Sequence, residues 1–106
     1  MEYKVEFSIN AQNDLFEIYY YVAVNDSFER ADHLRNKLLG LSLSLSKFPF
    51  RGHNLPELKD SPGNFSVITS YPYRIIYEVI VNIVTIHCIL DGRRNVQDLL
   101  KERLLR

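Results

Sequence analysis

The chain has 106 residues, 46% of them apolar and 25% charged, with thirteen cations against thirteen anions and a single cysteine. This length and composition predict one globular domain spanning residues 1–106, and they exclude a disulfide framework. Zero net charge argues against tight, nonspecific nucleic-acid binding as the main role. No run of about 18 apolar residues occurs, so no transmembrane helix and no membrane partner are expected. The opening MEYKVEFS lacks a basic segment followed by an apolar core, so no secretory signal is expected. Cys88, inside a strand-like run, fits a reducing compartment, and the expected location is cytoplasmic.

In chain order, Tyr3, Val5 and Phe7 alternate with Lys4 and Glu6, which predicts a short strand. Ala11, Leu15, Ile18 and Val22 then recur at helical spacing, with Phe16, Tyr19 and Tyr20 widening that stripe or lying beside it. Tyr19, Tyr20 and Tyr21 cannot all face one side of a helix, so at least one is expected at the surface. Asn25-Asp26 ends this helix, and Asp26 with Glu29 has the pattern of a capping box for the next. The second helix carries Ala31, Leu34, Leu38, Leu41 and Leu45, and its end is blurred by the period-two tail LSLSLS. A tight link between two such helices implies an antiparallel αα-hairpin.

Residues 48–63 hold three of the four prolines and two of the four glycines and read as a long surface loop. A strand over roughly Asn64 to Ser70 follows. The next run, Tyr71 to Val81, puts Tyr73, Ile75, Tyr77 and Val79 on one face and Arg74, Ile76 and Glu78 on the other. Tyr73 and Tyr77 therefore read as core. The run from Ile83 to Leu90 is rich in Ile, Val and Thr and pairs with its predecessor as an antiparallel hairpin. Asn95 caps a last helix, with Asp98 in its first turn and Val96, Leu99, Leu100 and Leu104 on its apolar side. The order is strand, helical hairpin, three strands, helix. That predicts an α+β fold with the two helices packed on one face of a mainly antiparallel sheet.

Arg74 and the Arg93-Arg94 pair come from neighbouring strands, so these cations suggest a site for phosphate or for an acidic partner. From Asp91 onward five cations face three anions, a mildly basic C-terminal segment. The structural alternatives are pairing of Arg74 with Glu78, and of Arg93 and Arg94 with Asp91 and Asp98; such exposed pairs contribute at most about 1 kcal/mol. The glycine before the double arginine suggests a sharp turn. His87 has no cluster of partners, so no metal site is expected. Strand alternation places Cys88 on the opposite face from His87, which disfavours a Cys–His catalytic pair and leaves Cys88 as a buried small hydrophobe.

Nearly the whole chain resembles the RelE/ParE superfamily of bacterial type II toxins. The resemblance rests on the first strand, on Ala11, Asp14, Leu15 and Ile18 at the helix start, and on Pro49 and Gly52 as a P-x-x-G element. It is strongest in Y-R-I-I-Y-E-V (73–79) and G-R-R (92–94). The resemblance implies a RelE/ParE-like fold and a small toxin neutralised by a cognate antitoxin. RelE-like members cleave mRNA on the ribosome, whereas ParE-like members, known from plasmid stabilisation systems, inhibit DNA gyrase.

RNA cleavage needs acid, base and cationic groups at fixed positions. In RelE these look like two lysines on the strand before the YR motif, the arginine of that motif, the arginine ending G-K-R, and a tyrosine on the C-terminal segment. Matched without gaps, the arginines fall on Arg74 and Arg94, the lysines on Phe65 and Val67, and the tyrosine on Leu100. The resemblance therefore favours a ParE-like gyrase inhibitor without catalytic residues, cofactor or small-molecule substrate. Its candidate target- and antitoxin-binding residues are Arg74, Arg93, Arg94, Leu99, Leu100 and Arg103. Two alternatives stand beside it. One is a ribosome-dependent mRNA endoribonuclease in which Arg74 and Arg94 hold the scissile phosphate, with Tyr71, Tyr73, Glu57 and His53 near enough to supply a displaced apparatus. The other is a non-toxic module that only binds an antitoxin.

Overall fold

The computed structural model describes residues 2–56 and 63–104; the candidate Glu57 lies outside them. Strand β1 (Lys4–Phe7) leads into helices α1 (Ile9–Asn25) and α2 (Phe28–Leu43), and a 3₁₀ turn (Ser44–Ser46) closes the hairpin. Then come β2 (His53–Asn54), β3 (Phe65–Ser70), β4 (Tyr73–Ile80), β5 (Ile83–Asp91) and α3 (Val96–Leu104). The sheet order is β1-β5-β4-β3-β2, antiparallel except for the β1–β5 pair. That parallel edge, which joins the first strand to the last, was not readable from local periodicity.

The helical hairpin packs on one sheet face. Ala11, Leu38 and Leu45 meet Ile68, Ile75, Tyr77, Val84, Ile86 and Ile89 there, with Leu15, Ile18, Leu34 and Leu41 closing around them. On the other face Val96 and Leu100 of α3 cover Leu55, Val67, Ile76, Cys88 and Leu90. The α1 and α2 stripes thus bury as their spacing predicts. Of the three consecutive tyrosines, Tyr20 and Tyr21 are exposed, and the Tyr19 hydroxyl donates to Asp32 at 2.9 Å. The α2 cap differs from expectation. Asp26 belongs to the end of α1, and Ser27 caps α2 by accepting from the Arg30 amide at 3.1 Å. A hydroxyl one residue later meets the free N–H groups directly, and Asp26 is left to pair with Arg30.

The stretch read as a plain surface loop is anchored. Tyr77, fully buried, donates its hydroxyl to the Pro49 carbonyl at 2.9 Å and accepts from the Gly52 amide at 3.1 Å. A Cβ on residue 52 would collide with that hydroxyl. Pro49 and Gly52 thus tie the loop to β4, and β2 forms just beyond them.

A bulge in β5 alters the face pattern. Ile76 pairs with Cys88 but Tyr77 with Ile86, so His87 is an extra residue. Val84 and Ile86 pack under the helical hairpin, whereas after the bulge Ile89 takes that role and Cys88 and Leu90 turn to the α3 side. His87 contacts Phe65 and Glu78, which also lie on the α3 side. His87 and Cys88 therefore share a face, against strict alternation. They still form no reactive pair: burial pushes the Cys88 thiol up to about 11, and His87 is bonded to Glu78 at 3.1 Å.

Candidate functional site

β1 pairs with β5 only as far as Ile86, so the rest of that β5 edge needs other partners. Two side chains of α1 supply them. Ser8, the α1 cap, donates its hydroxyl to the His87 carbonyl at 3.0 Å, and Asp14 accepts from the Ile89 amide at 3.0 Å. The same Asp14 oxygen accepts from Arg103 of α3 at 2.6 Å. Since α3 lies on the opposite face, Arg103 reaches around the β5 edge to meet it.

Beside this edge lies a cavity of about 410 Å³, where Arg93, Arg94 and Arg103 are brought together with Asp14, Glu17 and Asp91. Three of the candidate cations do converge here. Arg74 is not among the lining residues; its aliphatic stem crosses Gly92, where a Cβ would come within 2.9 Å of Cδ. Gly92 is thus needed for a close approach rather than for a left-handed turn, and its N–H donates to the Pro72 carbonyl at 2.7 Å.

The cavity is not a bare cationic cradle. Arg93 grips Asp91 through Nε at 3.0 Å and Nη2 at 2.7 Å, while its backbone N–H donates to the same carboxylate. The Arg93 guanidinium holds the Asp91 carboxyl below its ordinary value. Arg103 is spent on Asp14. The expected pairing of Asp98 with an arginine is replaced by a cap, in which Asn95 donates to Asp98 and accepts from its amide. Arg94 alone of the three lining arginines makes no side-chain hydrogen bond or ion pair among the described residues. Tyr73 also lines the cavity, and burial, with the Asp91 charge, pushes its phenol up, so it stays protonated near neutral pH.

The other sequence candidates separate. Leu100 is fully buried under α3 and Leu99 is half-buried beside it, so Leu100 belongs to the core and not to a contact surface. Phe65, Val67 and Leu100, the positions matched to two lysines and a tyrosine, all belong to this same apolar layer. Glu78 is engaged by His87 and by the Asn64 amide. His53 and Tyr71 are exposed and do not line the arginine cavity. Sequence reasoning missed the roles of Asp14 and Glu17, whereas the Arg93–Asp91 pair is one of the structural pairings that it offered. Asp14 carried a signal, an acid set among the apolar positions Ala11, Leu15 and Ile18. Among the described residues no group of three or more His, Cys, Asp or Glu side chains could hold a metal ion, and no helix is long and apolar enough to cross a membrane.

The strand order, the helical hairpin on one face and the short helix on the other define the RelE/ParE toxin fold. Three solved structures share it. A chain of the chromosomal ParDE TA system from P. aeruginosa superposes with a TM-score of 0.70 at 20% identity, covering 83% of this chain and 94% of that one. The toxin–antitoxin complex RelBE2 from Mycobacterium tuberculosis gives 0.65 at 18% identity, covering 86% and 92%. A mutant E. coli RelE in the free state gives 0.63 at 17%, covering 100% and 98%. A search of curated proteins finds no match. The family profile of the ParE toxin of the type II toxin-antitoxin system parDE matches residues 5–96, and the chain belongs to that family.

Proposed function

We propose that this ParE-type toxin inhibits DNA gyrase through a protein–protein surface and is neutralised by a cognate antitoxin that covers the β5 edge and its arginine cavity. The observation that carries the choice of target is chemical. The three positions matched to the two lysines and the tyrosine of RelE hold Phe65, Val67 and Leu100, packed in one apolar layer. The two arginines that remain are split between the stem-on-glycine position of Arg74 and the balanced cavity of Arg94. At those three positions there is no side chain that can carry a proton to or from a ribose hydroxyl, and that supports gyrase over RNA as the target.

The antitoxin reading is supported by the stretch of β5 beyond Ile86, which is met by the side chains of Ser8 and Asp14 rather than by a strand, and by the mixed charges of the cavity, where an acidic or amphipathic segment can engage Arg94 and exchange with the internal carboxylates. Inducing the chain in bacteria separates the targets. Gyrase inhibition relaxes plasmid DNA and leaves translated mRNAs intact, whereas intact plasmid supercoiling with cleaved mRNAs would assign the ribonuclease alternative.

A further inference from the structure

The tip of the β4–β5 hairpin combines backbone strain with exposed apolar surface. Ile80 pairs with Ile83, which leaves Val81 and Asn82 as a two-residue turn. Val81 has φ of 55°, and Asn82 does not share the positive sign. Positive φ at the first turn residue alone is the type II′ pattern, and that position favours glycine. A Cβ is crowded there, and a β-branched side chain is the worst case. Nothing inside the chain offsets the strain. The Val81 side chain is 83% exposed and packs into neither core layer. Beside it Ile80 and Ile83, 55% and 36% exposed, face each other across the two strands.

Single exposed aliphatics are ordinary, but here three cluster on a convex turn and one of them is held in a strained conformation. Such a cluster works only against a surface outside the chain. The charges around it narrow the partner. Lys4, opposite Ile83 in the register, pairs with Glu6 at 3.3 Å, and Glu78, two residues before Ile80, is bonded to His87 at 3.1 Å. One lysine matched by a carboxylate gives no hold on a phosphate backbone or an anionic lipid surface, both of which need clustered cations. A neutral, concave protein surface is the complement of this tip. We infer that Ile80, Val81 and Ile83 form a knob that enters an apolar pocket on the toxin's protein target; that this target is gyrase rests on the function proposed above.

The knob stands apart from the arginine cavity. The nine residues of β5, Ile83–Asp91, put roughly 26 Å between them at strand spacing. Target and antitoxin contacts then occupy opposite ends of one strand, and a substitution at the tip leaves the antitoxin contact untouched.

Val81→Gly tests the inference, because strain and contact move in opposite directions. The glycine relaxes the turn and removes the apex of the knob, so Tm rises while inhibition weakens. Half-inhibition of gyrase supercoiling is expected to need about tenfold more of the variant than of the unaltered chain, with antitoxin affinity unchanged. Val81→Asn, polar but tolerant of positive φ, should weaken inhibition in the same way. Full potency in either folded variant overturns the inference, and so does an equal loss of antitoxin affinity. Co-sedimentation of the unaltered chain with phosphatidylglycerol vesicles, lost on Val81→Gly, overturns it in favour of a membrane contact. If the unaltered chain leaves gyrase unaffected, the target reading fails and growth arrest on induction becomes the readout. Arrest lost in Val81→Gly then upholds the knob; arrest retained there, or absent with the unaltered chain, overturns it.

Discussion

Asp14 and Arg103, 89 positions apart, meet at 2.6 Å across the edge of β5, and the same carboxylate oxygen takes the Ile89 amide. One side chain of the first helix therefore holds the last helix and finishes a strand edge that β1 leaves bare. Asp14→Ala strands a guanidinium and an amide together. A loss of about 2–3 kcal/mol is expected, below that of a fully buried pair because Arg103 keeps 27% side-chain exposure. Urea unfolding measures the loss, and hydrogen exchange at the Ile89 amide should speed up selectively.

Tyr77→Phe removes the hydroxyl that joins Pro49 to Gly52. The substitution leaves a buried carbonyl and an amide unpaired, at an expected cost of about 1–3 kcal/mol. Gly52→Ala is expected to be at least as harmful, because the new methyl collides with the same hydroxyl and lies 2.8 Å from the Val67 carbonyl. Thermal unfolding of both variants checks this.

Val81, at the tip of the β4–β5 hairpin, has φ of 55° although its side chain is β-branched. That conformation is strained for valine and free for glycine. Val81→Gly is therefore expected to stabilise the chain by about 1 kcal/mol, or roughly 4–8 °C in Tm. An unchanged or lower Tm would show that the surrounding turn compensates.

The Asp91–Arg93 pair gives a pH dependence with a definite sign. The folded-state carboxyl lies below its ordinary value of 3.8, so the pair's contribution is fully present above that value. It is lost as the pH falls from there through the lowered folded value. The stability difference between the unaltered chain and Arg93→Gln, measured by urea unfolding, should be constant near neutrality and close at low pH.

Arg94 is the lining arginine that makes no side-chain hydrogen bond or ion pair among the described residues, and the antitoxin proposal depends on it more than on Arg93. Arg94→Glu is expected to weaken antitoxin binding by roughly tenfold, about 1.4 kcal/mol, in low salt. Arg93→Gln should act mainly on local stability. Titration calorimetry of the two variants against the antitoxin separates these roles.

Most elements were legible because each stripe matched one period. The helical spacing of Ala11, Leu15 and Ile18, and the alternation of Tyr73, Ile75, Tyr77 and Val79, each met the core they implied. The His87 bulge was not legible: it depends on register against β4, and it moved His87 and Cys88 to one face. The charge balance of the site was hidden for a similar reason. Arg103 and Asp14 have no sequence relation until β5 lies between their helices. Gly92 was read for its backbone freedom, yet it serves the stem of Arg74, a contact that only the strand pairing creates.

DNA gyrase supercoiling in the presence of the purified chain, with cognate antitoxin added back, decides whether gyrase is the target. Inhibition that the antitoxin reverses is the predicted result. A folded, antitoxin-binding chain that leaves supercoiling unaffected and cleaves mRNA on translating ribosomes would contradict it.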